Sequence, residues 1–191
     1  MNLEKRITPE FQEKKEKPEF LYHGSAFDVE VVNPKGEHKR EEKENDVVFA
    51  TPDIAFASMF LSPRSDDSWS DKGKYNDVYY IVCGDEKRFK KEDKGGFIYV
   101  FPGGSFKCDE EIGMGMSEWI SVDSVTPIEK KYFPSGLVAM MENGVQVYFV
   151  TRKMLQEIKE SEDHGMGILK NIKSENQKSG INPIDMFSER E

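Results

Sequence analysis

An α+β domain built on small curved or paired sheets is the fold class this chain predicts, and three observations lead there. Six or seven strand-like segments stand against two clear helices, and most are joined by short turns or irregular loops. The strict strand–helix alternation of a doubly wound sheet is absent, and Gly113-x-Gly115 has no helix after it, so it is no dinucleotide fingerprint. The 191 residues, 37 % apolar and 33 % charged, suit one domain whose core is drawn from residues 20 to 160.

The elements follow in order. Residues 1–18 form a leader dominated by Glu and Lys that ends at Pro18 and has little to bury. Glu19 to Ser25 predicts a first strand with Phe20 and Tyr22 on one face and Leu21 and His23 on the other. Phe27 to Val32 is a short apolar segment closed by Asn33-Pro34, and a charged loop runs from Lys35 to Asp46. Asp46 to Thr51 predicts a strand. Thr51-Pro52-Asp53 predicts a capped helix start, and the helix to Leu61 sets Phe56, Met59 and Phe60 on one face, which core packing alone would explain.

Ser62 to Asp77, rich in Ser and Asp with a single Trp69, predicts a surface loop. Val78 to Cys83, Phe97 to Phe101 and Trp119 to Val122 predict strands, separated by the charged stretch Asp85 to Lys94 and the glycine-containing loop Gly103 to Ser117. Leu137 to Val150 predicts a hairpin about Asn143-Gly144, because that pair tolerates the positive φ of a two-residue turn. Thr151 to Glu162 predicts a helix with Met154, Leu155 and Ile158 on one side. Residues 19–163 therefore make the domain, and 164–191 a polar, irregular tail or partner-binding segment.

The totals also exclude classes of function. A formal charge of -9 argues against a general phosphate-binding surface, since non-specific nucleic-acid affinity depends on Lys and Arg; a local basic patch stays open. Cys83 and Cys108 lack metal-ligand spacing and predict reduced thiols, so no metal is expected. No stretch reads as a signal peptide or a bilayer-spanning run, and the expected setting is cytoplasmic.

Of the three histidines, His38 lies in a charged run and His164 in the tail, which leaves His23, in Leu21-Tyr22-His23-Gly24-Ser25, with the best context for chemistry. The alternative reading is a strand-end histidine that only hydrogen-bonds a backbone carbonyl. Two further pieces follow in order: Val47-Val48-Phe49-Ala50-Thr51 with Ala57-Ser58-Met59-Phe60, and Ser117-Glu118-Trp119-Ile120-Ser121-Val122.

Together these motifs resemble the ADP-ribosyltransferase fold, in the poly(ADP-ribose) polymerase branch, over about residues 19–133. Trp119-Ile120-Ser121 with Pro127-Ile128 is similar to small bacterial and phage relatives of that fold. The resemblance implies two small curved, mainly antiparallel sheets forming a cleft that takes NAD as substrate. It implies that His23 holds the nicotinamide ribose, that the backbone of Gly24 meets the carboxamide, and that Glu118 supports the ribose as positive charge develops on it. Ser25, Phe49 and Ala50 complete the pocket. Val48 and Met59 stand where the family has its pocket tyrosines, and Phe56 and Phe60 are the nearest aromatic substitutes.

Met116, two residues before Glu118, argues against an arginine-modifying subtype. The acceptor would be a protein, nucleic acid or small molecule. Two other readings of the fold stand beside transfer: a catalytically degenerate binding module and, third, an RNA 2′-phosphotransferase, against which the second strand has no histidine–arginine pair and Arg64 and Arg88 fall in expected loops. Read on its own, Glu118 could equally be an exposed carboxylate at a strand start.

Overall fold

The computed structural model describes residues 16–34, 46–63, 69–108 and 118–176. Among them lie nine strands in three three-stranded sheets, five α-helices and two short 3-10 turns, a mixed α+β architecture with one more sheet than expected. The leader up to residue 15 and the charged loop 35–45 lie outside the described residues.

The first sheet has the order β1-β5-β8, from β1 (Phe20–Ser25), β5 (Gly96–Pro102) and β8 (Glu129–Phe133), all antiparallel. The second has the order β2-β7-β6, from β2 (Val48–Ala50), β7 (Trp119–Ser121) and β6 (Lys107–Cys108), also antiparallel. The two meet at one bridge, where the Tyr22 and Thr51 amides each donate to the other's carbonyl at 2.7 and 2.9 Å. A core of Leu21, Tyr99 and Phe101 from the first sheet, Val48, Ala50 and Trp119 from the second, and Phe106 joins them.

The third sheet corrects two expectations. The polar stretch assigned to a loop contains β3 (Ser70–Tyr75), which pairs antiparallel with β4 (Val78–Cys83) through the two-residue turn Asn76-Asp77, at φ 46° and 60°. Its edge position explains its polar composition: Lys72 and Tyr75 face solvent, whereas the preceding Trp69 is buried. The hairpin expected over Leu137–Val150 is instead helix α3 (Gly136–Glu142) followed by β9 (Gln146–Phe149), which lies parallel to β4. Asn143-Gly144 does turn the chain, but as a helix stop. Gly144, at φ 83°, donates to the Met141 carbonyl and Val145 to that of Met140, and Val145 packs in the same cluster as Met140.

Every residue of β4 is buried, because the sheet is covered on both faces. Tyr79, Ile81 and Cys83 face Met59, Phe89 and Met140. Val78, Tyr80 and Val82 face Leu155 and Ile158 of α4 (Arg152–Glu160) and Leu169 of α5 (Met166–Asn176). The helix expected over Thr151–Glu162 is therefore present as α4, capped by Thr151. The segment after Asp163 is not irregular as expected: α5 follows, its first turn capped by Asp163, and its Leu169 is fully buried. The charged stretch Asp85 to Lys94, read as a spacer, carries α2 (Glu86–Glu92), with Phe89 as its one buried side chain.

Asp93 ties these layers together at the C-terminal end of α2. Its carboxylate accepts from the Gly95 and Gly136 amides at 3.1 and 2.6 Å, the Leu137 amide at 3.2 Å and the Ser135 hydroxyl at 2.6 Å. Burial would raise its pKa, but those four donors outweigh burial and hold it below the ordinary carboxylate value. A depressed carboxylate stabilises the fold above its unfolded-state pKa, and the contribution is lost as pH falls through the lower native value. Urea denaturation of Asp93→Ala at pH 7 is expected to show a loss on the order of 3 kcal/mol, since buried amide donors lose a charged acceptor. The gap between parent and variant should narrow as pH drops below about 4; a gap that stays constant down to acid unfolding would contradict this role.

Candidate functional site

The site begins where β1 changes partners. At Tyr22 the strand is bonded on both edges, to β5 and to Thr51. Backbone groups alternate direction along a strand, so the N–H and C=O of Gly24 point to the same edge as those of Tyr22, away from β5. The antiparallel bridge carries the facing chain back into β2 there, toward Phe49, but the two strands part, and neither Gly24 group has a hydrogen bond among the described residues. Helix α1 (Ile54–Ser58) comes up beside this point. A Cβ on Gly24 would lie 2.1 Å from the Ala57 carbonyl oxygen and 3.2 Å from the Phe60 Cβ, so only glycine admits the approach.

Helix α1 is shorter than the expected Asp53–Leu61 element and passes into a 3-10 turn over Met59–Leu61. Its cap is Asp53, whose carboxylate accepts from the Ala55 amide at 3.0 Å; the Thr51 hydroxyl in turn accepts from the Asp53 amide at 3.1 Å. The expected common face divides. Met59 is buried in the core, while Phe60 is 50 % exposed and meets Phe56 edge-on at 5.4 Å. Phe56 stacks on Tyr79 at 5.4 Å, and the Tyr79 hydroxyl hydrogen-bonds Asp53; burial first, then Asp53, pushes its pKa up to about 12. Phe56 and Phe60 thus form a braced aromatic wall.

His23 is tied to the next sheet, its Nδ1 lying 2.8 Å from the Phe49 carbonyl oxygen. A carbonyl can only accept, so Nδ1 carries a proton and, in the neutral ring, Nε2 is of acceptor type. Rings of Tyr99 and Phe101 flank it at 6.3 and 6.5 Å. Glu118 directly precedes β7, whose Trp119 pairs with Ala50. It is only 9 % exposed, and it makes no hydrogen bond or ion pair among the described residues. Glu118 is therefore not the exposed carboxylate of the alternative reading: little of it meets bulk surface, and it borders the cleft.

These residues share one cleft of about 1130 Å³. His23, Gly24, Ser25, Phe49, Ala50, Phe56, Phe60 and Glu118 all border it, although Ala50 is 4 % exposed and packs mainly into the core with Val48. The volume is at the upper end for ligand clefts, which run to about 1,000 Å³. Val48 and Met59 also reach its lining, but they are 2 % and 3 % exposed and belong to the cores behind it. Arg88, expected in a loop, lies on α2 over the Trp69 ring and is not among the residues lining the cleft; Arg64 falls outside the described residues, as does Met116.

Sequence reading missed the segment between β1 and β2 as a wall. Phe27, Val29 and Val31 line the cleft, and Phe27 is 61 % exposed. An exposed phenylalanine followed by alternating valines was the available signal. Lys72, Glu92 and Lys94 also reach the cleft. No group of three or more His, Cys, Asp or Glu side chains among the described residues is arranged to hold a metal, and no described helix is long and apolar enough to cross a membrane.

Comparison with models of protein families, with curated proteins and with solved structures found no match. The geometry at Gly24 has a direct consequence. Gly24→Ala should lower stability by about 1–3 kcal/mol in urea denaturation, because α1 must move off β1 to admit the methyl group; an unchanged midpoint would show that the approach is not tight.

Proposed function

We propose that this protein is an ADP-ribosyltransferase-like enzyme that uses NAD as a substrate. The observation that carries the reading is the meeting, in one cleft, of an oriented histidine, a glycine with an amide pair turned away from its sheet, and a mostly buried glutamate that borders the cleft. Each suits one part of the substrate. The Gly24 N–H and C=O present a donor and an acceptor side by side, the complement of a primary carboxamide. The Phe56–Phe60 wall suits a planar ring, and Nε2 of His23 suits a ribose hydroxyl as donor.

The chemistry follows from these positions. When the bond between the anomeric carbon and the nicotinamide nitrogen breaks, its electron pair leaves with nicotinamide and the ribose carbon becomes positive. Glu118 stabilises that charge electrostatically and accepts the proton given up as the nucleophile bonds to the same carbon. The acceptor then carries ADP-ribose, and neutral nicotinamide is released.

A second reading has its own observation. Val48 and Met59 are packed into the cores and offer the cleft no ring, which suits a catalytically degenerate binding module of the same fold. Release of nicotinamide from NAD labelled in that ring separates the two. The parent should release it, Glu118→Gln should slow release by about 10²–10³-fold, and His23→Ala should weaken NAD binding. Binding without release would favour the binding module, and neither binding nor release would sink both.

A further inference from the structure

We propose that Tyr99, assisted by Lys130, is a positioning residue that holds the cleft wall formed by residues 27–31 and thereby sets ligand affinity; this rests on the cleft being the binding site. Three residues form one register row across the first sheet: His23 on β1 faces Tyr99 on β5, which faces Lys130 on β8. All three therefore project from the same face, and each ends on a segment beside the cleft. His23 reaches Phe49, as described.

The Tyr99 hydroxyl donates to the Phe27 carbonyl at 2.7 Å and accepts from the Val29 amide at 2.9 Å, so both of its hydrogen-bonding roles are spent on this wall. Its ring is fully buried between Phe97 and Phe101, which fixes where the hydroxyl can be. Lys130 pairs with Asp28 at 2.7 Å and Glu30 at 2.8 Å, the two side chains that alternate with the cleft-lining ones. The segment has no strand of its own between β1 and the Val32–Val125 bridge, so these contacts take the place of a ladder. Phe27 and Val31 stay substantially exposed at the cleft despite this anchoring.

The division of labour is specific. The Tyr99 hydroxyl bonds Phe27 and Val29 and not His23, whose Nδ1 meets the Phe49 carbonyl, and Tyr99→Phe keeps the ring beside His23, so loss of the hydroxyl should disturb binding and leave the chemical step alone. The test compares the parent, Tyr99→Phe, and Lys130→Met, whose exposed position makes it safe for folding. Amide hydrogen exchange at Val29 is read by NMR, NAD affinity by equilibrium dialysis, and turnover by nicotinamide release. Tyr99→Phe should speed Val29 exchange and raise the Kd for NAD, each by about tenfold, the equivalent of one hydrogen bond, with kcat changed less than twofold; Lys130→Met should shift both in the same direction by less. Unchanged Val29 exchange, or faster exchange with unchanged affinity, would overturn the inference, as would an equal fall in kcat. If the parent binds no NAD, the functional reading fails instead, and Val29 exchange alone decides whether Tyr99 holds the wall.

Discussion

The absence of a side chain at Gly24 is the constraint on which the site depends. Strand β1 is bonded to two sheets at Tyr22, and beyond that bridge β1 and β2 part, so that Gly24 makes no backbone bond on the edge away from β5 among the described residues. Helix α1 packs on the face of β1 at this point, with the Ala57 carbonyl where a Gly24 side chain would stand. That close approach sets Phe56 and Phe60 beside the strand end that carries His23, while the Gly24 amide pair points along the sheet, away from β5. The cores behind the site, from Met59 on one side and Val48 on the other, hold the two elements at that spacing.

His23 shows how a plain structural role and a functional one coincide. A strand-end histidine bonded to a carbonyl is the ordinary expectation, and the bond from Nδ1 to Phe49 fits it. The same bond chooses the tautomer and aims the ring, which is what a substrate hydroxyl would require of it. Glu118 is mostly buried at the start of β7 and borders the same cleft.

What could be read from the sequence divides along physical lines. Strands β1, β4, β5 and β7 and helix α4 were legible because their apolar residues either run together or keep a clear period. β3 was hidden by its place at a sheet edge, where polar side chains are favoured. Helix α3 was misread because Leu137 to Met141 is a short apolar run without a clear period, and Asn143-Gly144 serves a helix stop as well as a hairpin turn. Helix α5 carries one fully buried residue, Leu169, too little for a pattern to stand out. The site residues were legible as a set only through their order along the chain. Tyr99 and the wall it holds were not, because those contacts join residues 70 or more positions apart.

The account's central claim is that this cleft receives NAD with its nicotinamide end at Gly24. Titrating NAD into isotope-labelled protein and following backbone amides and phenylalanine rings by NMR tests it directly. The claim predicts saturable shifts at the Gly24 amide, the Phe60 ring and the Glu118 amide, with α4 and α5 undisturbed. Shifts confined to surfaces outside the cleft, or none at millimolar NAD, would contradict it.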